Sequence, residues 1–172
     1  NLDRYGALFD QAEAAVAGDA ELQARVQTAR LPLQFALLEQ AKVIGAGARG
    51  AFRRAADGSL VKRPEVVALL ELLVERCERA GIPRLWEHGI PPAEYLASTR
   101  RFLDESARPH LALGRAASLA RPASAKYHGG EAAALTDGLK GWDDYHAHWL
   151  GFEGEDLDAR IDLGSLQTVT RV

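Results

Sequence analysis

The chain has 172 residues, 47% of them hydrophobic and 26% charged, and its 21 Lys+Arg against 24 Asp+Glu give a formal net charge of -3. This balance excludes a collagen, a disordered acidic tail and a strongly basic nucleic-acid binder, and the length suits one ordinary domain or two small ones. No apolar run reaches the ~20 residues of a membrane span, and no charged-then-apolar leader pattern occurs in this numbering.

The first two thirds carry helical periodicity. Leu2, Tyr5, Leu8, Phe9, Ala12 and Val16 recur at helical spacing over residues 2–17. Gly18 stops that run, and Asp19 is placed to cap a second helix with Leu22 and Val26 on its inner face. Pro32 falls inside the second pattern, where it either kinks the helix or opens a new one. The apolar stripe continues through Leu33, Leu37, Leu38, Ala41 and Ile44. Residues 45–50, GAGARG, lack the strand-to-helix setting of a phosphate-binding loop and are expected to be a flexible helix connection. Pro64 suits the first turn of a strong helix with Val66, Val67, Leu69, Leu70, Leu73, Val74 and Cys77 as its apolar residues, and Ala80-Gly81 with Pro83 ends it. Cys77 is the only cysteine, so no intrachain disulfide forms, and a buried inert thiol is expected there. Pro91-Pro92 opens a further helix with Tyr95, Leu96, Thr99, Phe102 and Leu103 inward, and Arg108-Pro109 closes the helical region.

After residue 109 glycines and turn signals multiply. Leu157, Ala159, Ile161 and Leu163 alternate with Asp158, Arg160 and Asp162, the period of a half-buried strand. Thr168–Val172 is β-branched. The fold expected is mainly α, a helical bundle over residues 1–108, followed over 109–172 by the first strands of an incomplete β-sandwich, because a sandwich needs about seven or eight strands. The absence of Met and the start at Asn1 fit a trimmed or mature form, or a piece of a longer protein; the unfinished β pattern favours the piece.

The stretch Leu111-Ala112-Leu113-Gly114, then Asp137-Gly138, Trp149 and Ile161-Asp162-Leu163-Gly164 resembles the opening of a discoidin-type (coagulation factor V/VIII type C, galactose-binding-like) domain. Upstream, LFDQAEAAV (residues 8–16) and RVQTARLPLQFALLE (residues 25–39) resemble the helical segment downstream of the catalytic barrel in the domain of unknown function 4838 family. Those are glycoside-hydrolase-like bacterial proteins related to α-glucuronidases and hexosaminidases. Together the resemblances imply a non-catalytic fragment of a secreted (periplasmic or cell-surface) carbohydrate-active protein. Its partners would be a glycan and the upstream barrel of the same chain. They also imply that Asp137, with carbonyls of Ala134 or Leu135, is where a structural Ca²⁺ would attach, and that Trp149 packs in the core.

Other chemistry is weaker. Sugar modules stack pyranose faces on exposed aromatics, which makes Trp142 and Tyr145, with the adjacent His146, the candidate carbohydrate-binding residues. Asp143, Asp144, Glu153, Glu155 and Asp156 could supply a glycosidase pair, but their loop setting predicts solvated carboxylates, so no catalytic residue is assigned. His128, His146, His148 and Asp143 could invite a transition metal but offer no evident supported shell. Arg49, Arg53, Arg54, Lys62 and Arg63 are interrupted by Asp57 and followed by Glu65, the pattern of a solvated face, so no nucleic-acid partner is expected. The alternative to a glycan-related role is a self-contained helical protein-interaction module with a β-rich tail.

Overall fold

The computed structural model describes residues 1–87, 89–127, 129–145 and 147–170. The chain is mainly α followed by a few strands, and it divides into two compact units. One comprises residues 1–42 and 62–101; the other comprises residues 43–61 and 102–172.

The first unit is helical. Helices α1 (Leu2–Ala15) and α2 (Ala20–Ile44) are separated by a turn in which Asp19 caps α2. Its Oδ1 accepts from the backbone N–H groups of Glu21 and Leu22, each at 3.0 Å, which satisfies donors that a helix start leaves orphaned. Pro32 lies inside α2, which remains one continuous element. Because proline has no N–H, the carbonyl of Thr28 loses its intrahelical donor at that point.

Helix α3 (Pro64–Arg79) starts at its proline, as the sequence predicts, and buries Val66, Leu70, Leu73, Val74 and Cys77. These recur at i, i+4, i+7, i+8 and i+11, a single helical face. The N–H of Ala80 closes the helix on the carbonyl of Arg76. Helix α4 (Pro92–Glu105) follows. In the same unit Tyr95 donates its hydroxyl to Glu39 Oε1 at 2.7 Å, and its ring centroid stands 5.4 Å from that of Phe35. Glu13 is shared between Arg30 and Arg76, 3.3 Å from each. Helix α1 itself buries no residue.

The second unit holds two small sheets. Strands β1 (Phe52–Arg54) and β2 (Leu60–Lys62) pair with one another, closed by the N–H of Ala55 on the carbonyl of Ser59 at 2.8 Å. Asp57 Oδ1 accepts from the Ser59 amide and hydroxyl within that turn. The helix connection expected at residues 45–50 leads into this hairpin, for which no strands were expected. Its strands are three residues long, too short to show an alternating period, and the Asp57-Gly58-Ser59 turn was the only signal.

Strands β3 (Ala117–Leu119) and β4 (Ala159–Ile161) pair antiparallel, with Ala117 opposite Ile161 and Leu119 opposite Ala159. A 3₁₀ turn spans Glu131–Leu135. The strand expected from Thr168 is not formed among the described residues 168–170. At the centre of this unit Phe52 is fully buried, and Phe102 meets it and Trp142 at centroid distances of 5.9 Å each.

Candidate functional site

The landmarks from Leu111 to Gly164 all fall in the second unit, and the Leu111–Gly114 stretch packs on the Asp137-Gly138 turn. Gly138 sits at φ 85, a conformation that side-chain-bearing residues rarely adopt. A Cβ there would stand 2.7 Å from Leu113 Cδ1, the movable end of a side chain, so it is the backbone conformation that calls for glycine. Backbone bonds hold it in place. Gly114 donates to the Thr136 carbonyl, Arg108 to that of Gly138, and Lys140 to that of Ser106, each at 2.8 Å. On the other sheet, the amide of Asp162 reaches the Ala116 carbonyl at 3.3 Å.

Asp137 is half-buried. One carboxylate oxygen accepts the Leu139 N–H at 2.7 Å, and its backbone carbonyl accepts from Arg54 Nη2 at 2.9 Å. Burial pushes its carboxyl above the usual range, opposed by the Leu139 amide and by the charges of His148, Arg54 and His110. Among the described residues no three acidic, His or Cys side chains converge as a metal cage. Asp137 therefore offers one carboxylate toward the six to eight oxygens that Ca²⁺ takes, and a guanidinium already occupies its carbonyl.

The aromatic candidates separate by environment. Trp142 is half-buried and meets Phe102 edge-on at 76°, so part of its surface is committed to packing. Tyr145 is 57% exposed and lies 5.8 Å from the Tyr127 ring. His146 and His128 lie outside the described residues. Trp149 was expected in the core but is 46% exposed. Its indole N–H donates to the Trp142 carbonyl at 2.7 Å, and its ring lies against Gly141, where a Cβ would come within 2.4 Å. The ring covers backbone at the surface because Gly141 leaves room for it there.

The five loop carboxylates, Asp143, Asp144, Glu153, Glu155 and Asp156, are all exposed. Hydrogen bonds from Lys126 and then Ser124 hold the Glu153 carboxyl below its ordinary value. That is the opposite of what a general acid at neutral pH requires.

One surface of this unit brings together residues that sequence reasoning had not connected. A cavity of about 380 Å³ opens between residues 121–126 and 152–155. Within it Lys126 Nζ lies 2.9 Å from Glu153 Oε1, and Ser124 Oγ donates to Glu153 Oε2 at 2.8 Å. Arg121 pairs with Glu155 beside them. These pairs span 27 or more residues of sequence, and no local motif announces them.

The helical unit has a cavity of its own, of about 510 Å³, walled mainly by Leu31, Pro32, Phe35, Leu73, Cys77 and Trp86. Burial pushes the Cys77 thiol up, which keeps it an inert, neutral part of that wall. The nearby Arg84 guanidinium donates to the Gly89 carbonyl at 2.7 Å. No helix is long and apolar enough to cross a membrane among the described residues.

The chain is thus a helical unit and a loop-rich unit with two short sheets. No protein-family model, curated protein or solved structure matches it.

Proposed function

We propose that this chain is the non-catalytic part of a secreted bacterial glycoside-hydrolase-like protein, comprising a helical support unit and part of a carbohydrate-binding module. The observation that carries this is that the chain just after Leu111 meets two distant landmarks within one unit: Gly114 bonds Thr136 beside the Asp137-Gly138 turn, and Ala116 bonds the Asp162 strand end. An exposed tyrosine and a polar groove on that same unit support glycan contact. The exposed setting of every loop carboxylate supports a role without catalysis by these residues. In a parent enzyme the helical unit would brace the upstream barrel, and the second unit would hold the glycan near it.

Binding of the intact chain to a panel of soluble oligosaccharides, followed by calorimetry, tests this; a chain that retains no member of the panel would falsify it. Asp137 is the proposed attachment point for a structural Ca²⁺, with carbonyls of Ala134 or Leu135 and water completing the shell. Millimolar Ca²⁺ is then expected to raise Tm, and a Tm indifferent to Ca²⁺ removes the metal from the proposal.

A second reading, a helical protein-interaction module, is favoured by one feature: α1 exposes Tyr5 and Leu8, and Leu22 on α2 is exposed as well. It predicts that the Leu8→Glu variant loses a protein partner while sugar binding is untouched.

A further inference from the structure

We propose that the groove between residues 121–126 and 152–155 is a subsite for a neutral hexopyranoside, with the Lys126–Glu153 pair and Ser124 reading two adjacent hydroxyls. This rests on the carbohydrate-binding reading above and deepens it by assigning the site and the class of sugar.

The chemistry of the groove selects the ligand. A sugar hydroxyl both donates and accepts, so two neighbouring hydroxyls are matched by a donor and an acceptor side by side. The Lys126 ammonium donates, the Glu153 carboxylate accepts, and they stand 2.9 Å apart. Ser124, bonded to the other carboxylate oxygen at 2.8 Å, can do either. Charge-assisted bonds of this kind are stronger than neutral ones.

The groove carries two cations, Arg121 and Lys126, and two anions, Glu153 and Glu155, paired with one another. The paired charges give a uronate or sulfated sugar no net attraction to offset the cost of desolvating its own charge, whereas a neutral pyranose carries no such charge to desolvate. The volume, about 380 Å³, falls within the ~300–1,000 Å³ of small-ligand sites.

The frame is preset. Ser124 donates its amide to the Gly151 carbonyl at 2.8 Å, and Gly151 donates back to the Tyr127 carbonyl at 2.9 Å. The Tyr127 ring lies against Gly151, where a Cβ would come within 2.7 Å. That locks the turn bearing Ser124 and Lys126 to the strip bearing Phe152 and Glu153. Tyr127 is in turn flanked by Tyr145 at a ring-centroid distance of 5.8 Å, and Tyr145 is 57% exposed. Groups already held in their binding geometry lose less entropy when a ligand arrives.

The test uses the full chain, with methyl glucoside, methyl galactoside, methyl mannoside and glucuronate as probes, read by saturation-transfer NMR and calorimetry. At least one neutral glycoside is expected to bind, with an affinity insensitive to ionic strength. Glu153→Gln and Lys126→Met are each expected to weaken it by about tenfold. Glu71→Gln on α3 serves as a control and leaves binding unchanged. Because both groove side chains are exposed, these variants keep the parent's amide NMR dispersion. Sugar binding that survives both groove variants, or a preference for glucuronate, overturns this subsite while leaving the carbohydrate-binding reading in place. No binding by any probe or oligosaccharide overturns both.

Discussion

The two units of this chain are stabilised in different ways. In the first, periodic apolar residues on α3 and α2 bury a shared set of aliphatic side chains, and Leu70 and Leu73 are fully buried. In the second, regular structure is sparse. Its two sheets have three-residue strands, and long stretches are fixed instead by backbone bonds between loops and by glycines in special conformations. A helix satisfies its own backbone polar groups, so burying one face is enough to stabilise it. A loop region must find a partner for each buried N–H and C=O from elsewhere in the chain. Chain segments of similar length are thus held by a hydrophobic stripe in one unit and by turns and loop-to-loop backbone bonds in the other, and both carry paired charges at the surface.

Substitutions that act on one unit and spare the other sharpen this contrast. The largest effect is expected from Leu70→Ala in the helical unit. Removing a fully buried leucine side chain costs ~2–5 kcal/mol, and chemical denaturation should show the loss in the helical signal. Retention of the parent midpoint would mean that α3 is not the organising face.

In the loop-rich unit Gly138→Ala is expected to cost ~1–3 kcal/mol through the strained φ and the contact with Leu113. Hydrogen exchange should accelerate at the amides of Arg108, Gly114 and Lys140. Gly81→Ala provides the counterpart in the helical unit: its φ is 68, but a Cβ there meets nothing within 4 Å, so the smaller of the two losses belongs to it.

Asp137 gives a pH-dependent comparison. Its folded-state pKa lies above the ordinary 3.8, so between that value and the raised one the folded chain holds a proton the unfolded chain has released. The stability this group contributes is full below pH 3.8 and is lost as pH rises through the folded pKa. Relative to Asp137→Asn, the parent should therefore lose stability on going from acid toward neutral pH, as read by denaturation at a series of pH values. A difference that does not change with pH would show that the carboxyl is better hydrated than its half-buried position implies.

The smallest effect belongs to Arg25→Ala, which breaks an exposed i,i+4 pair with Glu21. Such pairs contribute ~0.2–1 kcal/mol, and raising the salt concentration should erase the difference.

The helical unit was largely legible in advance. The Asp19 cap, Pro64 at the start of α3 and the Pro92 start of α4 are local signals, and the stripe from Val66 to Cys77 needs only a 3.6-residue period to be recognised. The second unit was legible only in part. Residues 159–161 form a strand where alternation predicts one. The hairpin of residues 52–62 was missed because three-residue strands carry no detectable period. Trp149 was expected inside from the discoidin-type resemblance, but Gly141 gives its ring a surface seat. Tyr145 could be singled out as an exposed contact from composition, yet its neighbour Tyr127 could not.

The sequence by itself determined the helical regions, the starts of α3 and α4, the buried thiol and the turn at Asp137-Gly138, because each depends on residues within a few positions of one another; that α2 runs unbroken through Pro32 was left open. Only the tertiary structure decided that Ser124, Lys126 and Glu153 form one polar cluster and that Arg54 reaches the carbonyl of Asp137, 83 positions away. Those arrangements depend on loop closure over tens of residues, where side-chain identity carries no periodic signal and spatial proximity is set by the backbone bonds of the whole unit.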